Sequence, residues 1–381
     1  MRKINFNEPY LAGQELEYIK QVFDNKQFGG NGPFTKKVER LLQERYSVEK
    51  VLLTDSCTSA LEMSALLLEI GVGDEVILPS YTFSTTASAF LRTGCTLVFA
   101  EINPKNMMID PIDVERKITR NTKVIAPIHY GGIAADVVRL RKICDENGVT
   151  LVEDAAQALD SYLDEKPLGT FGALGCFSFH ETKNIHAGLS GALFVNDSDF
   201  ADRATYIRER GTNREQVLKG LADKYSWVEL GSSFYPTEFQ AAFLFAQLKS
   251  LDENTLKRRD IYDEYNVQLL PLAENNYFSL PELPIGNKIN YHAYFIIFND
   301  ELQCDYVRES LANDGVSAYI GYVPLHSSPM GKKLGYMPDD LPLTEEYAKR
   351  VLRLPFHNNM DIDDVQYVSE KIKRYTREFS D

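Results

Sequence analysis

No apolar run in the sequence approaches the ~18 residues that a membrane-crossing helix requires. The nearest, ALEMSALLLEI (60–70), is interrupted by Glu62 and Glu69. The opening residues, MRKINFNEPY, lack an apolar stretch of signal-peptide length. Basic charge is in deficit: 41 Lys and Arg stand against 55 Asp and Glu, a net charge of −14. Most of such a surface repels nucleic acid and anionic membrane, and an anionic ligand needs a locally basic pocket. Cysteine is scarce, with five residues, none in a CxxC pair and one necessarily left over. Reduced thiols in a cytoplasmic protein are the expectation. The phosphate-binding patterns GxGxxG and GxxxxGK[ST] are missing, as is the GxSxG elbow. His180-Glu181 opens like the zinc motif HExxH, but Asn184 stands where the second histidine belongs, so no metal is expected.

The chain does carry the material of a large globular protein: 381 residues, 44% hydrophobic and 25% charged. Short runs rich in Val, Ile and Leu recur at 51–54, 75–80, 96–102, 123–130, 150–154, 175–180 and 191–196, with helical patterns between most of them. The runs are not strictly alternating, which suits strands buried on both faces. The expectation is an α/β fold with a mostly parallel central sheet over residues 1–250. A smaller C-terminal α/β unit follows over 251–381. There AYFIIF and VSAYIGYV read as strands and CDYVRESLANDG as a helix. Val365, Val368, Ile372, Tyr375 and Phe379 line one face of a last helix. Residues 197–235 are polar and fit neither pattern, and excursions of that length are often functional.

Four strand ends carry candidate chemistry, because ligands in open α/β sheets sit at the carboxyl ends of strands. DSCTSAL (55–61) places Ser56, Thr58 and Ser59 at a helix N-terminus, a natural phosphate seat that is also plain N-capping. Phe83 follows the strand at 75–80 and could stack on a flat ring or fill the core. Asp154 ends TLVED, where a carboxylate needs a cation or a donor. Lys183 follows GCFSFH, and a lysine beside low-dielectric walls becomes a nucleophile toward carbonyls. Ser178 could donate to an anion. His129 and His326 end strands and read more simply as satisfied structural histidines. Together the phosphate seat, the stacking ring, the carboxylate and the lysine are the four parts that a pyridoxal phosphate enzyme uses.

The ordered set NFNEPYLAGQELEYIKQV, GDEVILPSYTFSTTASAF, VEDAAQALDSYLDEKPLGTFG, CFSFHETKN, SSFYPTEFQAAFL, YVPLH and LRLPFHNNM resembles the DegT/StrS sugar aminotransferases over nearly the whole chain. LLTDSCTSALEM, SFHETKN and RERGTNR look closest to the branch that aminates TDP-4-keto-6-deoxyglucose to TDP-4-amino-4,6-dideoxygalactose for enterobacterial common antigen. The resemblance implies a fold-type I pyridoxal phosphate transferase, a cytoplasmic homodimer with shared sites, L-glutamate as donor and a TDP-ketosugar as acceptor. It implies that Lys183 bonds the cofactor, that Asp154 faces the pyridine nitrogen and that Gln157 meets the phenolic oxygen. Thr58, Ser59 and Ser178 would hold the phosphate, Phe83 would stack on the ring and Ser233 would reach the partner's phosphate. His326 would touch substrate. Arg208, Arg210, Arg214, Lys219 and Lys224 are candidates to neutralise a diphosphate. The family's Gly-Glu-Gly-Gly run reads Gly188-Leu189-Ser190-Gly191 here, with a leucine expected to pack where a carboxylate is usual. Amination at a 3-keto position, a gluco product, or a catalytically silent regulatory member are the competing readings.

Overall fold

The computed structural model describes residues 2–380. The seven apolar runs become strands β1 (Lys50–Thr54), β2 (Glu75–Pro79), β3 (Thr96–Ala100), β4 (Thr122–Ile125), β5 (Thr150–Asp154), β6 (Leu174–Ser178) and β7 (Gly191–Val195). They form one sheet in the order β1-β7-β6-β5-β4-β2-β3. Only β7 runs against its neighbours, so six strands deliver their carboxyl ends to one edge. Alternate side chains enter opposite cores. Val51, Leu53, Ile77 and Leu151 join one apolar cluster, and Leu52, Val76, Leu78 and Val152 join the other. Burial on both faces is why polar alternation is absent from these runs.

Helix α2 (Pro33–Tyr46) packs beside β1, with α1 (Glu15–Asn25) in the same core, while α3 (Cys57–Leu67) and α4 (Ser84–Leu91) cover the other face. Beyond these, α5 (Val137–Asn147) leads into β5, and α6 (Glu238–Lys249) closes the first core against α1 and α2. Glu238 fixes that junction by accepting from the backbone N–H groups of Gly32, Phe34 and Thr35 at the start of α2.

Helix α7 (Leu251–Glu274) leads into the second unit. Its four-stranded antiparallel sheet has the order β8 (Phe278–Ser279), β9 (Phe295–Phe298), β11 (Val351–Arg353), β10 (Tyr319–Ile320). Helices α8 (Glu301–Asn313) and α9 (Ile362–Ser380) cover it. Four of the five stripe residues of α9 are buried, and Phe379 is the exception. The strand expected at VSAYIGYV shrinks to two residues because the chain then crosses to the large unit. A Cβ on Gly321 would lie 1.5 Å from the Tyr81 hydroxyl. Leu325 N–H donates to Ser80 O at 3.0 Å. The start of the chain also joins this second core: Ile4 is buried there and bonds Gly315 and Ser317.

The polar stretch 197–235 contains the helices Ala201–Arg208 and Arg214–Leu218 and two isolated bridges, Glu209 to Ser233 and Thr212 to Trp227. It exposes Leu218, Leu221, Tyr225, Trp227 and Leu230. No helix among the described residues is long and apolar enough to cross a membrane.

Candidate active site

The carboxyl ends of β1, β2, β5 and β6 meet the second unit around a cavity of ≈ 370 Å³. Thr58, Phe83, Asp154, Gln157, Ser178 and Lys183 all line it. They arrive on four separate segments, with Asp154 and Gln157 on one and Ser178 and Lys183 on another, so only the folded sheet brings them together.

Lys183 sits in the turn that joins β6 to β7. The turn is cross-tied by Phe179 N–H to Ser190 O (2.8 Å), Ala187 N–H to Phe179 O (2.9 Å) and Glu181 N–H to Gly188 O (2.8 Å). Burial pulls the Lys183 ammonium down to about 8; Asp154 opposes the shift and Arg353 reinforces it. A substantial neutral fraction near pH 7 to 8 is what a carbonyl-attacking amine needs.

Asp154 is buried. One oxygen accepts from Thr86 Oγ1 at 2.6 Å and the other from the Ala156 N–H at 3.1 Å. Burial pushes its carboxyl up, against those two bonds and the Lys183 charge. Among the described residues no cationic side chain pairs with it. Gln157 is held from both ends: its Oε1 accepts from Gly131 N–H (2.7 Å) and its Nε2 donates to Tyr322 OH (2.8 Å). Phe83 is 56% exposed, an aromatic face with room for a flat partner.

The phosphate seat is the N-terminus of α3, capped by Ser56 Oγ on Ser59 N–H at 3.1 Å. Gly191 is required beneath it, because a Cβ there would come within 2.4 Å of the Cys57 nitrogen. Thr58 and Ser178 face the cavity. Ser59 does not line it, since its hydroxyl turns to Asp55. Ser233 is exposed and accepts from Arg210 at 3.1 Å, on the surface excursion and off its own cavity wall. The Cys57 thiol, at the cavity wall, is pushed well up by burial and stays protonated.

His326 is not on the cavity wall. It is fully buried, with Nδ1 2.7 Å from Ser80 Oγ and Nε2 3.2 Å from Pro338 O. A carbonyl can only accept, so Nε2 carries the proton and Ser80 donates to Nδ1. This geometry leaves no ring nitrogen for a substrate, and it corrects the expected substrate contact: His326 braces the crossing segment. Leu189 is not packed away either; it is 51% exposed at the cavity wall, because the left-handed Gly188 (φ 72°) turns the chain outward just before it. Among the diphosphate candidates, Arg208 is buried against Glu39, Arg214 pairs with Glu209 and Lys219 with Glu215. Among the described residues Arg210 and Lys224 have no carboxylate partner, and Arg210 donates to Ser233.

Several wall residues went unread in the sequence: Phe6, His292, Tyr322 and Arg353. A weak signal existed for Arg353, a lone charge inside the apolar run VLRLPF. His292 donates from Nδ1 to Asn184 Oδ1 at 2.8 Å. That contact belongs to an amide chain beside the lysine: Asn184 Nδ2 donates to Asn290 O (2.8 Å), Asn254 Nδ2 to Asn184 O (2.8 Å), and Asn358 Nδ2 to Asn254 Oδ1 (3.1 Å). It ties the turn that carries Lys183 to the second unit.

The residues present fit pyridoxal phosphate. An unpaired buried carboxylate calls for a cation, which a protonated pyridine nitrogen supplies. The lysine is poised as an amine, and free helix N–H groups stand ready for a phosphate. Among the described residues no group of three or more His, Cys, Asp or Glu side chains could hold a metal ion.

Comparison with known proteins agrees with this geometry. The profile of the DegT/DnrJ/EryC1/StrS aminotransferase family matches residues 9–373. A dTDP-4-dehydro-2,3,6-trideoxy-D-glucose 4-aminotransferase of Saccharopolyspora spinosa is 30% identical, with 97% of this chain and 96% of that protein covered. A pleiotropic regulatory protein of Geobacillus stearothermophilus is 32% identical, with 99% of each chain covered. The crystal structure of the aminotransferase TlmJ from Streptoalloteichus hindustanus superposes with a TM-score of 0.90 at 30% identity, covering 99% of this chain and 100% of the other.

Proposed function

The chain belongs to the DegT/DnrJ/EryC1/StrS family of pyridoxal phosphate aminotransferases, and on that premise we propose that it moves an amino group from L-glutamate to a nucleotide-linked 4-keto-6-deoxysugar. The specific reaction is TDP-4-keto-6-deoxyglucose to TDP-4-amino-4,6-dideoxygalactose, in cytoplasmic biosynthesis of a cell-surface polysaccharide. The observation that carries an aminotransferase is Lys183 and an unpaired Asp154 on one cavity wall. The Saccharopolyspora relative, named for amination of a dTDP-4-dehydro-2,3,6-trideoxy sugar, supports a nucleotide-linked 4-keto deoxysugar as acceptor.

When bound, the cofactor supplies an electron sink that lets the amino-bearing carbon give up its proton. The chain supplies the rest. Asp154 holds the pyridine nitrogen protonated, with Thr86 and Ala156 fixing the carboxylate plane. Phe83 and Gln157 orient the ring, while Thr58, Ser178 and the α3 N–H groups hold the phosphate. Lys183 would hold the cofactor, and its Nζ, as a neutral amine at the cavity wall, would take up and give back the proton of the substrate carbon. Such a step contributes roughly 100- to 10,000-fold.

The exposed apolar residues around Ser233 suit a second copy of the chain, with Ser233 serving the neighbour's phosphate and Arg210 or Lys224 its diphosphate. Mixing Lys183→Ala and Ser233→Asp chains should then restore activity, because one site in the mixed dimer escapes both lesions. The Geobacillus relative carries a regulatory name, yet a silent protein has no need of a poised Lys183. The deciding experiment incubates the holoenzyme with L-glutamate and a panel of TDP- and UDP-ketosugars and identifies the product by NMR. Borohydride should fix the cofactor on Lys183. Aminated product from none of the ketosugars would sink the substrate reading.

A further inference from the structure

His180 and Leu189 face each other across the turn that carries Lys183. Phe179 N–H donates to Ser190 O and Glu181 N–H to Gly188 O, each at 2.8 Å, and these two bonds bracket the pair. The ladder of β6 and β7, in which Ser178 stands opposite Gly191, thus runs two residues further, and both side chains leave one face of it. Directly opposed residues hold their Cβ atoms ~5 Å apart. Both residues line the cavity. Lys183 N–H donates to His180 O at 2.8 Å, and Gln240 Nε2 donates to Leu189 O at 2.5 Å, so the pair is fixed beside the lysine. One end of the imidazole is engaged. Thr182 N–H donates to Nδ1 at 3.3 Å, and Thr182 Oγ1 lies 3.0 Å from the same nitrogen. A backbone N–H only donates, so Nδ1 accepts and the ring proton sits on Nε2. Among the described residues Nε2 has no hydrogen-bond partner. A carboxylate at position 189 would take that N–H. The leucine cannot, and it offers a half-exposed apolar surface instead.

One free donor and one apolar side chain therefore stand together next to the amine, and both substrates must bring their reacting carbon to that amine. An amino-acid donor carries a carboxylate one bond from its reacting carbon, and neither an imidazole N–H nor a leucine neutralises it. The ketosugar offers uncharged neighbours. In a 4-keto-6-deoxyhexose the carbonyl carbon has a hydroxyl-bearing carbon on one side and a methyl-bearing carbon on the other. The 3-keto isomer has hydroxyl-bearing carbons on both sides. Resting on the sugar-aminotransferase reading, we propose that His180 and Leu189 read the two substituents that flank the keto carbon: His180 Nε2–H donates to the 3-hydroxyl, and Leu189 packs on the methyl. The acceptors are then 4-ketosugars with a 3-hydroxyl and no 6-hydroxyl. A 3-keto isomer would set a hydroxyl against Leu189 and leave it without a partner.

The test measures kcat/KM of the holoenzyme, at saturating L-glutamate, for three acceptors: TDP-4-keto-6-deoxyglucose, its 3-deoxy analogue, and TDP-4-ketoxylose, which lacks the methyl carbon. The melting temperature of each variant is read beside its rates. His180→Phe should lower kcat/KM for TDP-4-keto-6-deoxyglucose by roughly 10- to 100-fold, and for the 3-deoxy analogue by less than about threefold. His180→Gln, whose amide carries an N–H near the place of Nε2, should recover part of that loss. Leu189→Ser should lower kcat/KM for TDP-4-keto-6-deoxyglucose by roughly tenfold, and for TDP-4-ketoxylose by less than about threefold. Leu189→Met keeps an apolar surface and should fall between Leu189→Ser and the unmutated enzyme. Equal losses on the paired acceptors, or no loss at all, overturn the assignment and leave the two residues with a part in shaping the turn alone. If the unmutated enzyme aminates none of the three while L-glutamate still bleaches the cofactor's visible colour, the sugar reading fails and the assignment falls with it. If the acceptors are aminated and the ratios between them do not move, the assignment falls and the sugar reading stands.

Discussion

Glu153 and Asp154 are consecutive on one buried strand, yet their carboxylates live differently. Glu153 is filled: it accepts from the N–H groups of Gly169 (2.8 Å), Phe171 (2.6 Å) and Gly172 (2.6 Å), and from His129 Nε2 at 3.0 Å. The His129 ring is oriented in turn, because its Nδ1 accepts from Ala135 N–H at 3.2 Å. Asp154 has two donors and an open cavity. The period of two along a strand sends the pair to opposite faces. A saturated buried acid holds the chain together; an unsaturated one waits for a ligand.

Asp154→Asn is the largest expected break in that contrast. Turnover should fall by about 100- to 1,000-fold, the scale of losing one preorganised electrostatic partner. The cofactor-free protein should melt no lower, since burial already disfavours the charged carboxylate. Glu153→Gln should do the reverse. The amide turns an NH₂ toward groups that only donate, at a cost of about 3 kcal/mol of stability, read by urea denaturation. Activity per folded molecule should stay within about threefold. Loss of turnover at unchanged stability in this variant would erase the distinction.

Lys183 sharpens the contrast through pH. Its ammonium is pulled down to about 8, so the rate at which cofactor-free protein captures pyridoxal phosphate should climb through pH 8 and level off. At pH 7 it should be about a tenth of the plateau. The folded protein binds this proton less tightly than the unfolded chain does. The cofactor-free protein therefore gains stability as pH rises from about 8 toward the ordinary lysine value of 10.5. The smallest effect is expected at Leu189. Leu189→Glu should change stability by less than about 0.5 kcal/mol, because the leucine is half exposed. The new carboxylate at the same cavity wall should move the capture profile upward by about one pH unit.

The large unit was legible because its chemistry follows directly on apolar runs. Asp154 closes TLVED, and Lys183 lies just past GCFSFH. Their spacing along the chain reports the sheet edge where they meet. The second unit's contributions were not legible. Tyr322 and Arg353 reach the cavity only because the crossing segment and β11 fold back onto residues far earlier in the chain. His326 shows the opposite: its place at a strand end pointed to a satisfied structural histidine, which its two engaged ring nitrogens make it, and it was the family resemblance that implied a substrate contact. The Ser59 hydroxyl, too, has a partner that the sequence did not announce, Asp55. The silent difference between Glu153 and Asp154 was hidden for another reason, since three of the donors that fill Glu153 come from a loop 16 to 19 residues later and the fourth, His129, from 24 residues earlier.

The amide chain through Asn184, Asn254, Asn290 and Asn358 has a consequence for ionic strength. Its donors and acceptors are neutral and buried, so dissolved ions have little to screen. The contacts that set the turn carrying Lys183 against the second unit should therefore keep their geometry from dilute buffer to molar salt. Anion seats lack that immunity, because salt both screens them and competes for them. Moving from low to high chloride should raise the concentrations of phosphate-bearing and carboxylate-bearing ligands needed for saturation. The rate of the saturated enzyme should hardly change. Salt would thus act on how often this site fills, and not on how well it works once filled.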